Sequence, residues 1–265
     1  MSENLHSHPV VSREQWLDAR REHLLHEKAL THQRDQVSAE RRALPWVRID
    51  APYRFDGPDG PQSLAELFGK NTQLVIYHFM FGPGWQEGCK GCSYLSDHLD
   101  GANLHLAHHD VSVVVVSRAP WQAFQAFRQR MGWQFKWVSS AGSSFNEDFG
   151  VSATADQMAR GEVTYNYEKS EDPFEEMPGL SVFYRNDAGE IFHTYSAYAR
   201  GLDLLVGAYN ILDLTPKGRN EDPIMDWVQL HDQYENTADQ SAKQDCCTSD
   251  QSPRIGAQAP VVSET

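Results

Sequence analysis

Apolar positions follow different periods in different stretches of this chain, and each period predicts an element. From Arg13 to about Ala43 the sequence is charged throughout, with Trp16, His23, Leu30, Val37 and Leu44 recurring every seven residues. That spacing predicts one long helix with a single thin stripe, suited to the surface of its own domain or to a second copy of the chain. Ser12 and Gln15 have the spacing of a capping box, Val11 can staple against Trp16, and Pro45 stops the helix. The run Leu74–Met80 is continuously apolar and rich in β-branched and aromatic residues, too short to cross a bilayer. It predicts a central strand buried on both faces.

Further along, the signals alternate between strand and helix. Tyr53 to Phe55, with the turn Asp56-Gly57-Pro58-Asp59-Gly60, predicts a short hairpin, and Ser63 caps a brief helix over 64–68. After the strand 74–80 come a helix from Cys89 to about His109, a strand Val111–Ser117, and a helix over 120–131 with Trp121, Phe124 and Phe127 in the core. Trp133, Phe135 and Trp137 alternate with polar residues and predict a half-buried strand. Strand, helix, strand in succession implies a parallel pair with a right-handed crossover. Residues 139–176 show no sustained period and read as an insertion or long loop. A hairpin follows, Pro178–Arg185 and Glu190–Tyr195 around Asn186–Gly189, and a closing helix carries Leu202, Leu205, Val206, Tyr209 and Leu212 on one face.

Composition narrows the setting. The 265 residues can bury a sizeable core, and no stretch has the length of a membrane span or the apolar heart of a secretory signal. A cytoplasmic location is therefore expected. The formal charge of −14 excludes nucleic-acid backbones and anionic membranes as expected partners. Half of that charge lies in residues 221–265, which hold nine acids against Lys243 and Arg254 and predict a solvated, partly disordered tail. The organisation expected is a helical arm over 1–44, a main domain over 45–215 and an acidic tail over 216–265.

Four cysteines occur, Cys89 and Cys92 in one motif and Cys246 with Cys247 in the tail, which is no secreted disulfide framework. A Cys-x-x-Cys that follows a buried strand and opens a helix is where thiols become redox-active, because the free N–H groups of the terminus favour a thiolate. Lys90 adds a positive charge and Glu87 opposes it. Two other readings fit the same residues: half of a zinc site, with His98, His105, His108 and His109 nearby, or inert thiols in a binding module. A second ligand pair is not evident, so no metal and no cofactor is expected. Trp85, in the loop before Cys89, and Arg118, at the carboxyl end of the second strand, are candidate substrate contacts; a plain salt bridge is the alternative for Arg118. His78 and His193 read as core or hydrogen-bonded residues. Adjacent Cys246 and Cys247 have no fixed partner expected, although such pairs bind soft metals.

The blocks ERRALPWVRID, YHFMFGPGWQEGCKGCS, VVSRAPWQAFQAFRQRMGWQFKWVSS, EEMPGLSVFYR and YARGLDLLVGAYNILDLTPKGR together resemble a bacterial thioredoxin-like family catalogued as domain of unknown function eight-nine-nine, over about residues 10–232. The resemblance implies a three-layer α/β thioredoxin-like fold with a mixed central sheet, and no established activity. It further implies Cys89 as attacking thiol, Cys92 as resolving thiol, and a cis Met177–Pro178 bond facing them. The substrate implied is a disulfide-bearing protein or a small thiol compound. The loop FGPGWQEGC also looks like that of peroxiredoxins. Where those carry Thr or Ser in Pro-x-x-x-Thr-x-x-Cys, however, Pro83 is followed by Glu87 and then Cys89, so peroxide reduction is not expected.

Overall fold

A computed structural model describes residues 8–170 and 174–234 of the chain. The acidic tail beyond Tyr234, with Cys246 and Cys247, lies outside the described residues. Two compact units are present, the first running to Val228. The boundary drawn at 215 from composition thus falls inside the first unit. In the second, Gln229–Tyr234 form a turn in which the Gln229 N–H donates to Tyr234 Oη at 3.0 Å.

The first unit opens with α1 (Arg13–Arg42), capped by Ser12 and Gln15 as its sequence predicts, and none of its residues is buried. Arg41, near its end, stacks over the Tyr195 ring at 4.8 Å. β1 (Val47–Arg48), β2 (Arg54–Gly57) and β3 (Gly60–Ser63) follow, then the short α2 (Leu64–Leu67) with a Ser63–Glu66 capping box. The centre is built from β4 (Gln73–His78), α3 (Lys90–Ala107) and β5 (Val111–Ser117). A 3-10 turn over Trp121–Phe124 leads into α4 (Gln125–Met131), so the single helix expected over 120–131 begins as a tighter spiral. β6 (Lys136–Ser139) starts three residues later than the aromatic alternation suggests, although Trp133, Phe135 and Trp137 are all buried.

The stretch over 139–176 is not structureless. It contains α5 (Phe145–Asp148), α6 (Ala155–Arg160), and a small hairpin of β7 (Thr164–Tyr165) and β8 (Glu168–Lys169). Each piece is shorter than two helical turns or three strand residues, too short to leave a period in the sequence. The hairpin β9 (Gly179–Arg185) and β10 (Ile191–Tyr198) follows as predicted, then a 3-10 turn over Ala199–Leu205 and α7 (Gly207–Leu212). Val206, with extended backbone, separates these two where one helix is expected.

One mixed sheet runs in the order β1-β10-β9-β4-β5-β6-β2-β3. β4, β5 and β6 are parallel, and β9 pairs antiparallel with β4. A central strand flanked by a parallel neighbour and by the first strand of a returning hairpin, with a helix crossing between the parallel pair, is the thioredoxin-like arrangement. Strand pleating sends Leu74 and Ile76 with Val114, Val116 and Val138 to one face, against Leu64, Leu67, Phe68, Phe145 and Phe149. Tyr77 and Phe79 turn to the other face, where Phe79 meets Phe127, Trp133 and Trp137. Burial on both faces explains why β4 and β5 read as unbroken apolar runs.

Candidate active site

The two cysteines meet where the loop after β4 enters α3. The loop stays tied to the sheet: the Phe79 N–H donates to Val116 O (2.9 Å), the Ala119 N–H to Phe81 O (3.0 Å), and the Cys89 N–H returns to Met80 O (3.2 Å). Gly88 permits the last step, because a Cβ there would lie 2.5 Å from the Phe79 ring and 2.9 Å from Phe127. Cys89 then takes the cap position of α3, with no hydroxyl or carboxylate capping the helix. Its carbonyl accepts both the Ser93 N–H and the Ser93 hydroxyl, each at 2.9 Å.

Cys89 and Cys92 are both free thiols. Cys89 is half-buried and Cys92 is 2% exposed, one turn further in. The Cys89 thiol is lowered from 9.0 to about 6 by hydrogen bonding from the Cys92 thiol first, then from the N–H groups of Cys92 and Gly91, against the opposing effect of burial. A helix terminus alone is worth about 0.3–1 kcal/mol, under about one pKa unit, so the Cys92 thiol is needed to account for the drop. Lys90 faces solvent and is not one of these sources, and Glu87 is drawn into an ion pair with Arg130. Cys92 moves the other way. Burial and the Cys89 partnership push it well up, while the Tyr77 hydroxyl and the Met80 N–H (3.5 Å) work to lower it. The result is an outer sulfur poised as thiolate and an inner one kept as thiol.

The remaining sequence candidates have distinct fates. The expected cis Met177–Pro178 bond is a correction: that bond is trans, and the one cis peptide among the described residues is Asp222–Pro223. The segment ahead of Pro178 is held by the insertion, with the Met177 N–H donating to Val151 O (2.8 Å) and the Ala153 N–H to Glu175 O (3.0 Å). Met177 packs with Ala153 and Val163, and the Pro178 carbonyl accepts from Tyr165 Oη at 2.7 Å. Those anchors suit the trans isomer, which X-Pro bonds favour by about 0.5–1 kcal/mol in any case.

Trp85 is half-buried, and its backbone N–H donates to Gly82 O at 3.2 Å, folding the loop back on Gly82. Arg118 is held by Glu175 and Glu176, the salt-bridged alternative. Glu176 is 2% exposed and receives the Ser152 hydroxyl at 2.8 Å, so Arg118 pins the insertion to the carboxyl end of β5. His98 is fully committed: Nε2 accepts the Ala208 N–H (3.0 Å), which leaves Nδ1–H to donate to Tyr94 O (2.8 Å). Among the described residues, no three His, Cys, Asp or Glu side chains form a metal-binding group. His78 is buried, bonded through Nε2 to Ser181 Oγ (2.9 Å), and lowered to about 3 by burial.

Two contributors had no motif to announce them. Tyr77 reads in sequence only as a strand residue, and in the fold its hydroxyl meets the Cys92 thiol. Met225, in a stretch that composition places in the tail, lies against Gly91.

With this geometry in view, the model of a family described as bacterial proteins of unknown function (DUF899) matches residues 5–234. The chain belongs to this family. No curated protein matches it. Similar solved structures include peroxidoxin BcpB of Mycobacterium tuberculosis, 14% identical over 59% of this chain and 90% of that one, with a TM-score of 0.40. Peroxiredoxin Q of Xanthomonas campestris is 15% identical, covering 60% and 89%, with a TM-score of 0.38. A hypothetical protein of Sinorhizobium meliloti is 15% identical, covering 76% and 86%, also with a TM-score of 0.38. For this family member the thioredoxin-like fold is read from its own strand order and from the helix that crosses between β4 and β5. No described helix is long and apolar enough to cross a membrane.

Proposed function

We propose that this family member is a thiol–disulfide oxidoreductase working in the reducing cytoplasm. The observation that carries the reading is the asymmetry of the pair, an exposed-side Cys89 lowered to about 6 beside a buried, protonated Cys92. The Cys89 thiolate attacks one sulfur of a substrate disulfide, forming a mixed disulfide and expelling the other sulfur as thiolate. Cys92 then gives up its proton and attacks Cys89 Sγ, which forms the Cys89–Cys92 disulfide and frees the second substrate thiolate. The substrate gains two electrons and the protein loses two, so a cellular dithiol must reduce the pair again.

Trp85 is the proposed substrate contact, and Arg118 acts through the Glu175–Glu176 segment it holds. The redox couple decides the matter. Titration of the Cys89–Cys92 pair against glutathione, read by mass spectrometry, is expected to show a reversible disulfide at roughly −270 to −200 mV. Failure to form it at any glutathione ratio would leave a thioredoxin-like binding module with inert thiols. Bound zinc lost on Cys89→Ser would instead make the site a metal centre.

A homodimer through α1 belongs to the same proposal. Trp16, Leu30 and Val37 stay at least 40% exposed on a helix whose seven bases and six acids nearly balance, so a second copy of this acidic chain meets least repulsion there. A monomer at every concentration in sedimentation would reject it.

A further inference from the structure

The stretch after α7 turns back over the start of α3 as a strap, and it is pinned along its length. One oxygen of Glu221 accepts from Tyr209 Oη (3.0 Å), the Met225 N–H (3.0 Å) and Trp227 Nε1 (3.2 Å). Trp227 sets its ring against Tyr94 at 5.6 Å, and Tyr94 sits two residues beyond Cys92 on α3. Arg219 anchors the near end through Asp203 (2.8 Å) and Asp213 (2.9 Å), and Val228 at the far end is 2% exposed.

Between these pins the chain does something unusual. Met225 takes a left-handed backbone, φ +63°, a region that side chains other than glycine's rarely adopt. What that conformation delivers is the thioether: a Cβ built on Gly91 would lie 2.9 Å from Met225 Sδ and 3.9 Å from Cys89 Sγ. Gly91 is the floor shared by the two sulfurs. A strained residue tied through its N–H to Glu221 (3.0 Å) and through its carbonyl to the Val228 N–H (3.1 Å) is the kind of feature that persists because the surroundings over-determine it.

We propose that Met225 selects the substrate of Cys89, admitting low-molecular-weight disulfides with apolar substituents and excluding disulfides on folded protein surfaces. The inference rests on the reading of Cys89 as nucleophile and deepens it. Cys89 is half-buried, with the loop 79–88 leading into it and the strap beside it. A small, flexible disulfide enters past the thioether, whose soft and adaptable surface fits apolar groups. A folded protein is stopped by the thioether itself, which the Glu221 bonds and the Trp227–Tyr94 contact hold in place beside Gly91.

The test compares reagents of one chemistry and two sizes at Cys89: iodoacetamide, and iodoacetamide carried on a long polyethylene glycol chain. Each rate is normalised to that reagent's rate with free cysteine, and Cys89→Ser supplies the background. The full-length protein is expected to react at least about tenfold more slowly with the large reagent, the factor set by an open state populated at 10% or less. Met225→Gly relieves the left-handed backbone while removing the thioether, so it folds at least as well and is expected to lose the discrimination; Met225→Leu is expected to keep it. An unchanged ratio in Met225→Gly, or no discrimination in the unaltered protein, overturns the proposal. Turnover supplies the second readout, with bis(2-hydroxyethyl) disulfide consumed faster than insulin and the preference lost in Met225→Gly. Insulin consumed equally fast also overturns it. Absence of any turnover with the alkylation ratio intact would sink the oxidoreductase reading and leave Met225 as the gate of the thiol.

Discussion

At the start of α1 the Ser12 hydroxyl accepts the Gln15 N–H (3.3 Å) while Gln15 returns to the Ser12 N–H (3.0 Å); at the start of α3 the same cap position is held by Cys89. Both termini leave orphan N–H groups. The first spends them on oxygen, and the second directs those of Gly91 and Cys92 at a sulfur that accepts well only as a thiolate. Packing explains why each can do so. α1 buries no residue and leans on its cap and on pairs such as Arg21–Asp18 (2.9 Å) and Arg20–Glu27 (2.7 Å). α3 buries six residues, among them Cys92, Tyr94, Leu95 and Leu99, so its terminus is free for chemistry. A helix held by its core does not need its cap for stability.

The sharpest break in this comparison is Cys89→Ser. It puts a good oxygen cap on α3, so thermal stability should hold or rise below about pH 6, where the Cys89 thiol is protonated, while disulfide reduction at neutral pH falls by ~10³-fold or more because the thiolate is gone. An active Cys89→Ser protein in a disulfide-reduction assay would show that the cap position is not the nucleophile. Next comes Tyr77→Phe. Removing the hydroxyl that supports a buried Cys92 thiolate should lengthen the life of the mixed disulfide by about tenfold, the scale of one hydrogen bond to a charged group, without changing the first attack. Rapid-quench mass spectrometry separates the two steps.

Acid sharpens the contrast more gently. Alkylation of Cys89 should fall away with a midpoint near pH 6. The sign for stability follows from linkage: the folded chain holds this thiolate to lower pH than the unfolded one, so the unfolded chain binds more protons in between. The stabilisation is complete above about pH 9 and is lost as pH falls through about 6. Denaturant midpoints for the unaltered protein and Cys89→Ser should converge below that window. The smallest effect is expected at the other terminus. Ser12→Ala should cost α1 about 1 kcal/mol, seen as faster hydrogen exchange in its first turns, and leave the Cys89 midpoint where it was.

Local signals were legible wherever a short stretch settles its own structure. The capping box of α1, the Ser63 cap of α2, the apolar runs of β4 and β5, the β9–β10 hairpin and the placement of Cys89 at a helix start all follow from neighbours a few residues apart. The family resemblance was legible for the same reason, since it rests on contiguous blocks. Four matters belonged to tertiary structure. The Met177–Pro178 bond is trans, in a segment whose backbone is tied to residues 151–153 from outside its own stretch. Arg118 is occupied because Glu175 and Glu176 arrive from nearly sixty residues away. The acidity of Cys89 comes from hydrogen bonds rather than from Lys90, and Met225 reaches Gly91 only after the chain has folded back across α3. Periodicity and capping are local and survive in the sequence; which charge finds which partner, and which side chain covers a reactive sulfur, depend on distances that only the folded chain defines.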